Sequence, residues 1–398
     1  MKSKMFGRQF FAFRHATLLF RMCLGIVLLT ALTNAMAFED QSDATESDQR
    51  RVISQLIQQL GENRFEVRDR ATRQLLEIGS RAEPALTRQL KNPDPEIQYR
   101  CRDILELISV HNFERRLEGF LTENGESGDH RLPGWERYHR AYGSSKAAKE
   151  LFVAMLRTEP ELLKALEENR QVVAEMLSDQ VTEYQQGLRF RQFITLPSVA
   201  TMLFIGSEDD VDLDLPAKQT VLSFCYQNSF REGMADGSEF QETLQKILER
   251  QLSENYEDIA QLGIMLAMQF DLPVGVTLAK GILQKDKSPK HMQLYAMLTM
   301  AKLGDKDDAE LHNLLKGRLE NITPLNATVI DDKALQTQVR DVALAALLHL
   351  QGQGLKQFGF EFVQEQPMML FAPHTLGFEN DEKRSVAFEK WKGLSEKN

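Results

Sequence analysis

The stretch Val67-Arg68-Asp69-Arg70-Ala71-Thr72-Arg73-Gln74-Leu75-Leu76-Glu77-Ile78-Gly79 decides the fold class. Apolar or small residues fall at steps 0, 4, 8 and 11, and a helix-stopping glycine follows. That spacing tracks the 3.6-residue period, so the segment is an amphipathic helix with one buried stripe. Thirty residues on, Ile97, Cys101, Leu105 and Ile108 repeat the steps. The pattern returns at Met292, Ala296, Met300, Leu303 and Gly304, and again at Val339, Ala343, Leu347 and Leu350. A small residue at the second step of several copies lets a neighbouring helix approach closely.

Each copy has a companion helix. Gln49 to Leu60 precedes the turn Gly61-Glu62-Asn63, and Pro84 to Leu90 precedes Asn92-Pro93-Asp94-Pro95. Proline loses no hydrogen bond in a first helical turn, so these prolines mark helix starts. Ser288-Pro289 opens the Met292 helix, and Gly304 to Asp308 turns the chain into a partner at Ala309 to Leu319. Ala147–Asn169, Gln171–Gln186, Lys218–Gln227, Gly237–Leu252 and Glu257–Phe270 also carry helical spacing. No stretch of clean period-2 alternation stands between turn signals, so strands are expected to be few or absent. The reading is an all-α chain, a HEAT-like α-solenoid of stacked antiparallel helix pairs.

The remaining composition excludes several classes. The chain has 398 residues, 42% hydrophobic and 27% charged, with 23 Gly, 12 Pro and 3 Cys, which rules out collagen-like, low-complexity and disulfide-framework proteins. The formal charge of −10 hides a basic leader containing Lys2, Lys4, Arg8, Arg14 and Arg21, and the remainder keeps 43 basic against 58 acidic residues. A body this acidic, without a basic cluster, repels phosphate backbones, so nucleic acid is not the expected partner. After the basic stretch come the apolar run Met22 to Leu32 and the exit Ala35-Met36-Ala37. These are the parts of a secretory signal peptide, with cleavage expected after Ala37 and a retained N-terminal anchor as the alternative. Arg21 and Met22 before Cys23 do not fit a lipoprotein signal. The domain plan is signal peptide 1–37, linker 38–47, N-terminal repeats 48–122 and a helical body with a C-terminal cap over 130–398, with the break at Glu123 to Asp129.

Beyond the repeat, several motifs are specific. Leu132-Pro133-Gly134-Trp135-Glu136-Arg137, the segment Ala148 to Leu163, Val339 to Leu347, and His374-Thr375-Leu376-Gly377-Phe378 with Lys390-Trp391-Lys392 together resemble a family of secreted HEAT-like repeat proteins of planctomycete-type bacteria. The resemblance spans most of the chain after the leader. It implies fold and export, and carries no activity and no site residues.

Chemistry is represented mostly by absent signatures. The chain has no H-E-x-x-H, C-x-x-C, G-x-S-x-G, G-x-G-x-x-G or G-x-x-x-x-G-K-[ST] motif. Its eight histidines never fall within four residues of one another, so no helix face offers two imidazoles to a metal. His349 reads as a core or repeat-surface residue. Asp210, Asp212 and Asp214 alternate as calcium ligands do, but an EF-hand needs Gly at Leu215 and Glu at Val221, so a solvated acidic turn is the expected reading. The same holds for Asp305, Asp307 and Asp308. Trp135 reads as an anchor on the helical body rather than an exposed hot spot, and Trp391 as the closing residue of the C-terminal cap. Arg68-Asp69 and Arg340-Asp341 recur at matching places and are expected to steady helix starts and bridge successive units. Cys101 and Cys225 are expected as small buried hydrophobes, with pairing in an oxidising compartment as the alternative. No catalytic, metal or cofactor residue is assigned. The expected function is a non-enzymatic protein-interaction or scaffold module outside the cytoplasm, periplasmic or secreted and not inserted in the membrane once the signal is removed. An enzyme or enzyme-assisting factor, with a site assembled from distant residues in the solenoid groove, stays open beside it.

Overall fold

The computed structural model describes residues 48–122, 132–189, 193–254, 256–285 and 288–395. The leader at 1–37, the linker at 38–47 and the break at Glu123 to Asp129 lie outside the described residues. The chain divides into two compact units, one ending at Gly128 and the other running from Asp129. The described residues are mostly helical, with two short antiparallel strand pairs. Among them, no helix is long and apolar enough to cross a membrane.

The first unit consists of α1 (residues 48–59), α2 (Phe65–Ile78), α3 (Glu83–Arg88) and α4 (Pro95–Thr122). The repeat stripe builds its core: Leu60, Ala71, Leu75, Cys101, Ile104 and Ile108 are all buried in one cluster. Arg68 joins the helices at one end. Its guanidinium donates to the carbonyls of Glu62 (2.7 Å) and Asn63 (3.0 Å) and pairs with Glu96 at the start of α4 (3.2 Å). The Asn92-Pro93-Asp94-Pro95 turn works as its residue types demand, with the Asn92 side chain accepting from the Asp94 N–H and the Asp94 side chain from the Glu96 N–H, both at 2.9 Å. Unlike the repeat, α4 does not stop near residue 110. It runs for 28 residues, and its burial changes sides: Leu117 and Phe120 are buried but lie roughly opposite the Cys101–Ile108 stripe on the helix wheel.

The second unit begins with α5 (Trp135–Tyr142), α6 (Lys146–Thr158), α7 (Pro160–Glu168), α8 (Arg170–Arg189) and α9 (Leu196–Gly206). The single helix read over Ala147 to Asn169 is two. Glu159 stands at φ −129°, ψ 54°, because the residue before a proline is pushed out of the helical region and Pro160 supplies no N–H. Glu159 itself is buried and accepts a 2.5 Å hydrogen bond from the Tyr184 hydroxyl, which also contacts the Ser198 hydroxyl at 3.1 Å.

Next come α10 (Leu215–Ser223), α11 (Asn228–Gly233), α12 (Gln241–Glu254), α13 (Tyr256–Gln269), α14 (Val274–Gln284), α15 (Lys290–Leu303) and α16 (Ala309–Lys316). Gly275 lets α14 approach its neighbours: a Cβ there would sit 2.7 Å from the Ala267 Cβ and 3.1 Å from the Thr299 Cγ2. Residue types that read as small steps in the repeat, such as Ala296 and Ala343, are fully buried.

Strands are few, as expected, though none was located in the sequence. Strands β1 (Pro324–Ile330) and β2 (Lys333–Gln338) pair antiparallel, and β2 leads directly into α17 (Val339–Leu350). The turn is Asp331-Asp332, both at positive φ (51° and 62°), as a two-residue primed turn requires. Asp-Asp is not the Asn-Gly or Asp-Gly signal, and the only buried residues of the two strands are Leu335, Thr337 and Gln338 on β2, so the sequence pattern was faint. A second pair, β3 (Glu365–Gln366) and β4 (Leu370–Phe371), precedes the final helix α18 (Asp381–Ser395). Nearly every side chain of α17 is buried, and only Arg340 and His349 are half-buried.

Candidate functional site

In the first unit, a cleft of about 730 Å³ opens between α1, the last turn of α2 and the middle of α4. It is lined by the apolar Val52, Leu56, Leu76 and Ile78 together with the polar Gln49, Gln74, Glu77, Ser80, Arg81, His111 and Arg115. The cleft is open to solvent and its exposed lining is more polar than apolar, which suits contact with a polar segment rather than enclosure of a small molecule. The lining carries Arg81 and Arg115 against the single acid Glu77. Residues 48–122 hold 13 Lys and Arg against 12 Asp and Glu, so no acidic surplus in this unit offsets those cations, unlike the chain as a whole at −10.

The repeat itself shapes this cleft. Gly79 ends α2 at φ +65°, with its N–H on the Leu75 carbonyl, and turns Ser80 and Arg81 outward. A side chain at that φ is strained whatever the space around it. The segment is then pinned to α4, because the Asn112 side chain donates to Glu83 at 2.9 Å and contacts the Ser80 hydroxyl at 3.3 Å.

The second unit holds a charge network around Arg137. Arg137, from the Leu132 to Arg137 motif, donates to Glu208 (2.7 Å) and, through both terminal nitrogens, to Asp210 (3.1 Å each). Arg170 pairs with Asp210 at 2.9 Å and Arg250 with Glu208 at 3.1 Å. Burial pushes the Asp210 carboxyl up, but the hydrogen bonds and charges of Arg137 and the charge of Arg170 outweigh it and hold it below the usual carboxylate range. Asp210 is therefore an ionised carboxylate whose oxygens face arginines. Asp212 is exposed, and Asp214 caps α10 by accepting the Ala217 N–H at 2.8 Å. In the segment expected as a solvated acidic turn, Val211 and Leu213 are buried, Asp212 and Asp214 are exposed, and Asp210 is half-buried against the arginines. Asp308 likewise caps α16 and pairs with Lys280 at 2.7 Å, while Asp305 accepts the Asp307 N–H. Among the described residues no group of three or more His, Cys, Asp or Glu is placed to hold a metal ion.

The same motif carries an aromatic cluster. Trp135 is half-buried, with its ring 5.1 Å from Phe152 and 6.0 Å from Tyr138, and Tyr138 meets Phe204 edge-on at 5.4 Å. Trp135 is thus an anchor on the helical body. The Tyr138 hydroxyl is fully enclosed and has no hydrogen-bond partner among the described residues, and burial, with Tyr142 adding to it, pushes the phenol up. An unpaired buried hydroxyl costs stability, so Tyr138→Phe is expected to be neutral or to stabilise by up to about 1 kcal/mol. Urea unfolding checks this, and a loss above that size would reveal a partner for the hydroxyl.

The recurring Arg-Asp pair divides its roles differently in the two copies. In the first, Arg68 does the bridging, while Asp69 only pairs with Arg73 one turn on, at 2.7 Å. In the second, Asp341 is the buried member, closing a capping box with Gln338 and pairing with Arg384 of α18 at 2.8 Å. His349 packs edge-on against Phe371, and burial lowers its pKa. Trp391 is buried on α18, on the side that also carries Arg384 and Ala387. Cys101 and Cys225 are buried and free; burial pushes the Cys101 thiol up to about 11 and Cys225 further still. The cleft lining was not found in the sequence, because its residues come from three helices with no fixed spacing among them.

Comparison of the chain with protein-family models, with curated proteins and with solved structures finds no match.

Proposed function

We propose that this chain is an exported, non-enzymatic protein-interaction module in which HEAT-like helix pairs stack as an α-solenoid and the first-unit cleft receives a segment of a partner protein. The cleft carries this reading: a mixed apolar and polar lining, with two arginines against one acid, suits a protein segment bearing apolar and acidic side chains. Export follows from the leader's basic, apolar and A-x-A parts, and the family resemblance points the same way.

The test is capture by crosslinking from envelope fractions, comparing the native protein with an Arg81→Glu/Arg115→Glu variant. Both side chains are exposed, so the variant is expected to fold normally by circular dichroism. A reproducible partner that is lost from the variant, and whose binding weakens as salt rises, is the expected result. Equal capture by both proteins would remove the cleft from the function.

A further inference from the structure

The second unit carries an open strand edge. Within the hairpin, Gln336 exchanges both backbone hydrogen bonds with Phe378, at 3.0 and 3.2 Å, so its N–H and C=O point away from β1. Ala327 lies directly opposite Gln336 in the register, so by the alternation of an antiparallel ladder its own N–H and C=O point away from β2; Val329, two residues on, does the same. Among the described residues β1 pairs with β2 alone. Ala327 is exposed and Val329 is 67% exposed.

Natural sheets blunt such edges with charges or covering elements. Here residues 321–330, Asn-Ile-Thr-Pro-Leu-Asn-Ala-Thr-Val-Ile, contain no charged side chain. Charge returns at the flanks: Asp331 and Asp332, followed by Lys333, at the turn, and Glu320 and Lys290 at the other end, the Lys290 Nζ 3.0 Å from the Pro324 carbonyl. When one strand is reversed, Lys290 of one copy comes to the Asp331-Asp332 end of the other.

We propose that the β1 edge is a self-association site at which two copies of the chain pair β1 to β1 antiparallel, centred on Thr328. In this register Ala327 of each copy faces Val329 of the other and the two exchange their outward hydrogen bonds, while Thr328 faces Thr328 in the closer, non-hydrogen-bonded pair. The Asp331-Asp332 turn of each copy then lies toward the other's Pro324, where Lys290 is held. The occupant is a second copy because the uncharged strand matches itself and Lys290 of each copy meets the Asp331-Asp332 pair of the other. This surface is separate from the cleft and does not rest on the function proposed for it.

Sedimentation velocity across concentration, with the purified protein, tests the site. A reversible monomer–dimer equilibrium is expected, weakening at least tenfold in Lys290→Glu. It is expected to be abolished in Ala327→Pro, which removes an outward N–H without touching the β1–β2 ladder. Because a proline variant can unsettle the hairpin, Thr328→Cys gives an independent readout. Non-hydrogen-bonded antiparallel positions have Cα atoms about 4.5 Å apart, within disulfide reach, and the native Cys101 and Cys225 are buried. Mild oxidation is expected to yield a disulfide-linked dimer through residue 328. A protein that stays monomeric into the millimolar range, a dimer unchanged by Ala327→Pro, or a 328 variant that does not crosslink would overturn the proposal. A monomer whose β1 edge instead binds another protein's strand falls in the first of these.

Discussion

Replacing Arg384 with methionine is expected to destabilise the second unit by about 3–5 kcal/mol, the usual cost of removing one member of a buried ion pair. Arg384 is 3% exposed and Asp341 is fully buried. The guanidinium holds three elements at once: Nε donates to Asp341 on α17 at 2.8 Å, one terminal nitrogen donates to the Gln336 carbonyl on β2 at 2.8 Å, and the other contacts Asp381 at the start of α18. Without it, the Asp341 carboxylate keeps only the Gln338 N–H, at 2.8 Å, in a site closed to water. Adding Asp341→Asn to Arg384→Met is expected to recover part of the loss, since the stranded charge is the main penalty. Denaturant unfolding of the two single variants and the double variant measures this, and a single-variant cost below about 1 kcal/mol would show that water reaches the pair.

The same pair gives a pH dependence with a defined sign. Burial pushes the Asp341 carboxyl up to about 6, against the opposing influence of Arg384, the Gln338 N–H and Arg340. A folded-state value above the unfolded one means that the folded chain takes up the proton first. The associated stability is fully present below the ordinary carboxylate value near 4 and is lost as pH rises through about 6. Removing Arg384 raises the carboxyl further, so the gap between native protein and Arg384→Met should be widest near neutral pH and narrow as pH falls through this window.

Phe152→Ala is expected to cost a similar amount, about 3–5 kcal/mol, by a different route. Phe152 on α6 is fully buried, and its ring centroid lies 5.1 Å from Trp135 and 5.0 Å from Tyr138. Gly134, at φ +82°, turns the chain so that Trp135 reaches this ring. Truncation leaves a cavity under two aromatic rings that Gly134 and the start of α5 are poorly placed to fill. The chain has two tryptophans, and Trp391 is on the far end of the sequence in α18. A red shift and loss of structure in the Trp135 emission, with the Trp391 contribution unchanged, is therefore the expected spectroscopic sign. Native-like emission together with a loss under about 1 kcal/mol would mean that Trp135 is anchored by something other than Phe152.

The helices were legible wherever one stripe persisted along a whole segment. Ala71 and Leu75, Cys101 and Ile108, Ala296 and Met300, and Ala343 and Leu347 all lie in the core where the repeat puts them. Legibility failed where a local rule competed with the stripe or where the stripe moved. Across Glu159-Pro160 the apolar spacing continues from α6 into α7, so periodicity masked the break that the proline imposes. In α4 the buried side changes between Ile108 and Leu117, so the repeat spacing stops inside a helix that runs on to Thr122. The β1–β2 turn lacks glycine and its inner face buries little, leaving no period-2 signal to read.

Sites were less legible than helices because their members are far apart in sequence. Asp341 and Arg384 are 43 residues apart, and Arg137 and Asp210 are 73. The Asp210 to Asp214 segment read as a solvated acidic turn because spacing cannot show that Arg137 and Arg170 face Asp210. The cleft lining draws on α1, α2 and α4, and nothing in the spacing of Gln49, Arg81 and His111 announces that they share a surface.

The most direct test of the interaction role is site-specific photocrosslinking in envelope fractions, with the photoreactive residue placed either at Gln74 in the cleft lining or at Val386, which is exposed on α18. Transfer of the label from Gln74 to one protein, with none from Val386, is the expected result. No protein labelled from Gln74, or the same products from both positions, would contradict the assignment of the cleft as the binding surface.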